Sequence, residues 1–149
     1  ESIREICRHT NLPVVLLGGP EDADRAERIS QHYDMAINAC GRFSLNQSAS
    51  LVKQAKVVIS HDTGLMHIAA AFHKPVLSVW GNTIPEFGMY PFEAGTGSHI
   101  FEVSDLKCRP CSKIGYKTCP KKHFDCMMKQ DLTGIAESAK RIFQQNKPT

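Results

Sequence analysis

The chain has 149 residues, of which 42% are hydrophobic and 22% charged, and its formal net charge is +3. That length supports one domain with a sizeable core, and that composition excludes a disordered or coiled-coil chain. No apolar run approaches the roughly 18 residues of a membrane span, and no charged start followed by an apolar stretch marks a signal peptide, so the expected setting is the cytoplasm.

The chain opens at Glu1, without a methionine and inside a helical pattern, and is expected to be a piece of something longer. Ile3, Ile6 and Cys7 share a helical face that ends near Asn11 and Pro13. Residues 14–17 (VVLL) predict a strand that is apolar on both faces, as in a parallel sheet, closed by Gly18, Gly19 and Pro20. The segment EDADRAERISQHY follows as a helix, with Asp22 and Asp24 near the positive end of its dipole. Residues 35–39 predict a short second strand that Gly41 breaks. Ser44 stands three residues before Gln47, a capping-box spacing that starts a helix carrying Leu45, Ala49, Leu51, Val52 and Ala55.

Residues 57–72, VVISHDTGLMHIAAAF, change from a β-branched run to a polar break and then to apolar helix formers. They predict a buried strand, a tight turn and a buried helix. His73 and Lys74 sit at the negative end of that helix, and Pro75 stops it. Residues 76–80 (VLSVW) form a fourth predicted strand, ended by Gly81. A long ordered loop over 82–97 and a fifth strand over 99–103 come next. After the Cys-rich segment, residues 132–145 predict a closing helix with Ile135, Ala139, Ile142 and Phe143 inward, capped by Asp131 or Thr133. This alternation predicts an α/β fold, a Rossmann-like parallel sheet flanked by helices with right-handed crossovers.

Ligands of open parallel sheets lie beyond the carboxyl ends of the strands. Three polar, glycine-bearing turns follow predicted strands and are expected to meet on one edge. They are Gly18-Gly19-Pro20-Glu21-Asp22, Ser60-His61-Asp62-Thr63-Gly64 and Gly81-Asn82-Thr83-Ile84-Pro85. At the central turn the first N–H groups of a helix lack partners and the macrodipole adds positive charge, so a phosphate or pyrophosphate is expected over Thr63, Gly64 and Leu65. Gly64 allows close approach, Thr63 offers a hydroxyl and a backbone donor, and Asp62 can accept from sugar hydroxyls. His67 stands one helical turn later and should tilt back toward the same anion. Plainer roles stand beside these. Asp62 or Thr63 serves equally as an N-cap, and His67 as a core histidine bonded to a carbonyl. Glu21 and Asp22 suit helix-end charges, and Asn82 and Thr83 ordinary turn residues.

Six cysteines are present, four of them spaced C-x2-C-x7-C-x6-C at Cys108, Cys111, Cys119 and Cys126, with His123 between the last two. The first pair has zinc-knuckle spacing, and the second is wider than most structural zinc sites. Disulfides do not suit a reducing compartment. Thiols packed in or beside a loop are the default, no metal is assigned, and a structural zinc stays open. Cys7 and Cys40 read as buried small residues. Lys107, Arg109, Lys113, Lys117, Lys121 and Lys122 gather around the cysteines as a basic patch, which most simply is a solvated face.

The combination SHDTGLMHIAAA and KPVLSVWGNTIP, with VVLLGGPED before it and Cys108-Arg109-Pro110-Cys111 after it, resembles the signature of the ADP-heptose:lipopolysaccharide heptosyltransferases, glycosyltransferase family nine. The resemblance implies the C-terminal, nucleotide-sugar-binding half of a two-domain GT-B enzyme over residues 1–149, with the acceptor domain and the catalytic carboxylate outside this chain. It implies that Asp62 contacts the sugar, that Thr63, Gly64 and Leu65 hold the diphosphate, and that His67 supports that site. Glu21 to Asp24 would lie near the ribose or adenine, and Gly19, Glu21, Asp22, Asn82 and Thr83 are the weaker candidates. The implied partners are an ADP-sugar donor and a lipopolysaccharide-core acceptor, with no cofactor, no nucleic acid and at most peripheral contact with the inner membrane. The reaction would be an inverting transfer, and the fragment by itself is expected to be inactive. Two alternatives remain: a GT-B transferase or epimerase using a UDP-sugar, and a non-catalytic nucleotide-binding or interaction module.

Overall fold

The structure is a computed structural model that describes Arg4, Ile6 and residues 12–145. Most of the expected first helix, with Cys7, lies outside those residues, although Ile6 is helical and buried. The chain divides into two compact units, Glu1–Ala55 with Leu132–Thr149, and Lys56–Asp131.

In the first unit, β1 (Val14–Leu16), α1 (Ala23–Ser30), β2 (Ala36–Asn38) and α2 (Leu45–Gln54) follow one another. A single 3-10 turn over Pro20–Asp22 precedes α1. β1 and β2 pair in parallel, with Val14 opposite Ala36 and Leu16 opposite Asn38. α1 packs on β2 and buries Ala26. One expectation fails here: Val15 and Ile37 face each other across the ladder and are 43% and 51% exposed, so β1 is not buried on both faces. Alternate residues of a strand point to opposite faces, and an apolar face stays open unless another element covers it. The turns after the two strands interlock, because Gly41 donates its N–H to the Gly18 carbonyl at 3.0 Å. Gly41 has φ +70°, and a Cβ there would fall 2.9 Å from Pro20 Cα, so both conformation and space require glycine.

The capping box at α2 forms as its spacing predicts. Gln47 N donates to Ser44 Oγ at 3.4 Å, and Ser44 N donates back to Gln47 Oε1 at 2.9 Å.

In the second unit, β3 (Val58–Ser60), α3 (Gly64–Ala71), β4 (Val76–Trp80), β5 (His99–Glu102) and α4 (Asp125–Met128) follow one another. The strands order as β3-β4-β5, all parallel, with Ser60 opposite Ser78 and Trp80 opposite Glu102. β4 is central and buried at every position, which is why its sequence is an unbroken apolar run apart from Ser78. The Ser78 hydroxyl accepts from Trp80 Nε1 at 3.0 Å, and Gln130 Nε2 donates to the Trp80 carbonyl at 2.9 Å, so these donors in the core are partnered, while the buried Gln130 Oε1 is not. α3 buries Met66, Ala69 and Ala70, and its small side chains let its axis come close to the strands.

Parallel strands flanked by helices form the α/β fold expected, with their ladders falling into two sheets. Among the described residues no ladder joins β1 or β2 to β3. With three residues each, these strands span only about 10 Å, which limits the ladders they can make. The last helix, α5 (Leu132–Gln145), belongs to the first unit and buries Ile135, Ala136, Ala139 and Ile142, while Phe143 is only half-buried.

Replacing Ser44 with Ala removes one capping bond and unpairs the N3 N–H. Urea denaturation should show a loss of about 1 kcal/mol, with unchanged cooperativity.

Candidate functional site

β3 and β4 are parallel neighbours, with Ser60 at the end of β3 opposite Ser78 and β4 running two residues further, so the turns that follow them emerge at the same edge of the three-stranded sheet. His61 ties them together, its Nδ1 lying 2.9 Å from the Val79 carbonyl oxygen. Ser60 Oγ donates to the His61 carbonyl at 2.9 Å and lies 3.0 Å from Thr63 Oγ1.

Thr63 occupies the N-cap position of α3 with extended backbone, φ −143° and ψ 164°, yet its side chain makes no capping bond. The first backbone bonds of the helix run from Met66 N and His67 N to the Thr63 carbonyl, at 3.1 and 3.4 Å. Gly64 and Leu65, the first two helical residues, have no carbonyl one turn earlier to receive their N–H groups. Apart from its chain neighbours and its own helix backbone, no protein atom lies within 4 Å of the place a Gly64 Cβ would take, so the space beside this residue is open.

His67 is exposed and reaches back along the helix, its Nε2 3.8 Å from Asp62 Oδ1. The carbonyl-bonded histidine is thus His61, and His67 faces the mouth of the turn. Together Asp62, Thr63, Gly64, Leu65 and His67 assemble two backbone donors, a hydroxyl, an imidazole and a carboxylate around one helix end. Such a set can hold an anion on the N–H groups and accept from a neighbouring hydroxyl at Asp62.

The turn after β4 is differently engaged. Asn82 Nδ2 donates to the Tyr116 carbonyl at 2.8 Å, the Asn82 carbonyl accepts from Cys111 N at 2.9 Å, and Thr83 is buried. By sequence Arg109 belongs to the basic patch, but its side chain is only 7% exposed. Its Nε donates to the Gly81 carbonyl at 2.6 Å, and its two terminal nitrogens donate to Val103 at 3.1 Å, Thr83 at 3.0 Å and the Glu102 carboxylate at 2.7 Å. The five lysines of the patch stay in solvent. The one available signal was an arginine held between two cysteines.

Gly19, Glu21 and Asp22 belong to the other unit. There the 3-10 turn folds the Asp22 carboxylate over Gly18 and the Glu21 carboxylate over Gly19, and Asp22 N donates to the Gly19 carbonyl at 3.1 Å. Cys40 is buried nearby in that unit, and burial, with the Asp22 carboxylate second, raises its pKa.

The cysteine segment lines a cavity of about 330 Å³ with Cys108, Cys111, Cys119, Cys126 and His123 on its walls. As they stand, no three His, Cys, Asp or Glu side chains among the described residues are grouped closely enough to hold a metal ion. Burial raises the Cys111 and Cys126 thiols above the ordinary value, whereas the Phe124 backbone N–H, followed by those of Lys121, Lys122 and His123, lowers Cys119. A second cleft, of about 520 Å³, lies between the turn after β4 and the segment after β5, and includes Glu86, Glu102, Asp105, Lys107 and Arg109.

Parallel strands flanked by helices, with an uncapped, glycine-led helix end at one strand edge, define an α/β domain. Residues 2–123 match the family described as glycosyltransferase family 9 (heptosyltransferase), and the chain belongs to that family. Similar proteins include the lipooligosaccharide heptosyltransferase 2 of Haemophilus influenzae, 30% identical over 107 residues, which are 68% of this chain and 31% of that protein. The lipopolysaccharide heptosyltransferase 1 of Pseudomonas aeruginosa is 32% identical over 136 residues, 86% of this chain and 36% of that one. The chain therefore spans about a third of the length of these relatives. The same fold occurs in the Escherichia coli ADP-heptose lps heptosyltransferase II, with TM-score 0.61 and 19% identity over 91% of this chain and 38% of that one. It also occurs in a family 9 glycosyl transferase from Veillonella parvula, with TM-score 0.67 and 19% identity over 96% of this chain and 41% of that one. Among the described residues no helix is long and apolar enough to cross a membrane.

The Arg109 guanidinium binds three carbonyl oxygens in a nearly buried place, so Arg109→Ala should cost about 3 kcal/mol in urea denaturation, and lysine should not rescue it. Glu102→Gln should cost about 1 kcal/mol, because its carboxylate is partly solvated and the carbonyl bonds survive.

Proposed function

We propose that this chain is the donor-binding half of a glycosyltransferase that takes an ADP-heptose-type nucleotide sugar and passes its heptose to the lipopolysaccharide inner core. The observation that carries the proposal is the α3 N-terminus, which is open, uncapped and flanked by Asp62 and His67. Family membership and the activity of the relatives, heptosyltransferases 1 and 2, support it.

In this reading the diphosphate sits on the backbone donors at Thr63, Gly64 and Leu65, with the helix dipole behind them. Negative charge grows on that diphosphate as its bond to the sugar breaks. Donors already fixed in the helix stabilise it without having to reorganise. His67 donates to a phosphate oxygen and Asp62 accepts from a sugar hydroxyl. The carboxylate base that deprotonates the acceptor is assigned to a part of the enzyme outside these residues, and attack from the far side of the sugar inverts its stereochemistry. The reaction belongs in the cytoplasm, at most peripheral to the inner membrane.

Calorimetric titration with ADP, UDP and GDP tests the proposal, first on this chain and then on an enzyme extended upstream. The expected result is preference for ADP, with transfer activity in the extended enzyme and none in the chain by itself. Preference for UDP would move the assignment to a different donor, and no binding by the extended enzyme would overturn it. Gly64→Ala has room for its methyl group and should leave the melting temperature unchanged while weakening ADP roughly tenfold, about 1.4 kcal/mol. Asp62→Ala in the extended enzyme should fold normally and lose most of its turnover; unimpaired turnover would remove its sugar-contacting role.

A further inference from the structure

Residues 103–124 contain no helix or strand, and the helix that follows them, α4, is a single turn. Apolar burial does not hold this segment in place either, since Ile114, Tyr116, Phe124 and Met128 are all exposed. Yet the segment is wrapped closely around the turn after β4. Arg109 and Cys111 bond to that turn's carbonyls, Asn82 bonds back to Tyr116, and a Cβ on Gly81 would fall 2.7 Å from Met127 Sδ. A crosslink adds most where it closes a long irregular segment such as this one.

Four free thiols converge where that crosslink would be, since Cys108, Cys111, Cys119 and Cys126 line one cavity. The chain is shaped around their sulfur atoms. Cys111 Sγ lies 3.4 Å from the Cys108 carbonyl, which folds the first pair together. At Cys119 the chain curls back, Lys122 N donating to the Cys119 carbonyl at 3.1 Å, with Lys122 and Phe124 in the left-handed region at φ +62° and +55°. This curl aims backbone N–H groups of residues 121–124 at the Cys119 sulfur. Cys126 is placed in the first turn of α4.

We infer that Cys108, Cys111, Cys119 and Cys126 bind a structural zinc ion that fixes the segment around the turn after β4. Four thiolates satisfy tetrahedral zinc and leave no open position, which suits a structural centre rather than a catalytic one. Zinc–sulfur bonds of about 2.3 Å place the sulfurs about 3.8 Å apart, so the cavity walls draw inward on binding. The N–H groups facing Cys119 offset part of the charge of the tetrathiolate. His123 is a positioning residue. Its Nδ1 accepts from Asp125 N at 3.0 Å, which leaves the proton of the neutral ring on Nε2, 3.9 Å from Cys108 Sγ. From there it donates to the sulfur rather than binding the metal. Because Arg109 lies between the first two ligands, the ion also sets the clamp on Gly81 and Thr83.

The test is elemental analysis of the full chain, purified with neither added metal nor chelator. The expected result is a colourless protein with about one zinc per chain, and cobalt(II) exchanged into it should show the near-ultraviolet sulfur-to-metal absorption of a tetrathiolate site. Cys119→Ser and Cys126→Ser should each lose the zinc, while Cys40→Ser and His123→Ala keep it. Chelator should lower the melting temperature of the unmutated protein and leave that of Cys119→Ser unchanged. Zinc-free protein whose four thiols titrate as reduced, an iron content in place of zinc, or the four cysteines recovered as disulfides would each overturn the inference. So would zinc retained by both serine variants.

Discussion

The carboxyl end of β4 is the fixed point of the second unit, and the Arg109 guanidinium holds it by donating to the carbonyls of Gly81, Thr83 and Val103. Backbone carbonyls at the end of a buried central strand need partners once the ladder runs out. An arginine suits this place because its planar fork supplies several donors in one rigid group, and because it keeps its charge under all ordinary conditions. His61 takes its own position from the same strand through the Val79 carbonyl, so the turn that precedes α3 is registered on β4 as well. What lies at the mouth of the sheet is therefore held by side chains anchored one strand away.

That anchoring explains how α3 can begin without a side-chain cap. Capping by the Thr63 hydroxyl would stabilise the helix by about 1 kcal/mol, but it would also occupy a donor that a bound anion needs. Here the hydroxyl lies beside Ser60 instead, and the turn is set by strand packing and His61. The burial of Met66, Ala69 and Ala70 offsets what the helix end lacks. Under the proposed function, such a helix end would be prepared before its ligand arrives, which is what stabilisation of a departing diphosphate requires.

The parts legible in the sequence were those written in local chemistry. The unbroken apolar run of β4, the Ser44 and Gln47 pair, the β-branched residues before the Asp62 turn and the stripe of α5 each specify their element within a few residues. Glycine at 64 and histidine at 67 pointed to the helix end for the same reason. Long-range geometry was not legible. Arg109 stands among lysines and cysteines and looks like surface until the fold brings it against β4. The same holds for Asn82, whose partner Tyr116 lies far along the chain. Neither histidine of the central turn reveals from spacing which one meets a carbonyl; the register of β3 on β4 decides it for His61. α4 escaped because one helical turn entered through a left-handed Phe124 carries no periodic signal. The open face at Val15 and Ile37 could not be foreseen either, since an apolar residue does not say whether an element will cover it.

The claim on which the functional account rests is that the N–H groups at the start of α3 receive the diphosphate. Amide-resolved NMR of the labelled chain titrated with ADP addresses it directly. The account predicts that the largest saturable shifts fall on the amides of Gly64 and Leu65 and on the His67 ring, with adenosine, which lacks phosphate, leaving them unmoved. Saturable ADP binding that leaves those amides in place, or equal shifts with adenosine, would contradict it.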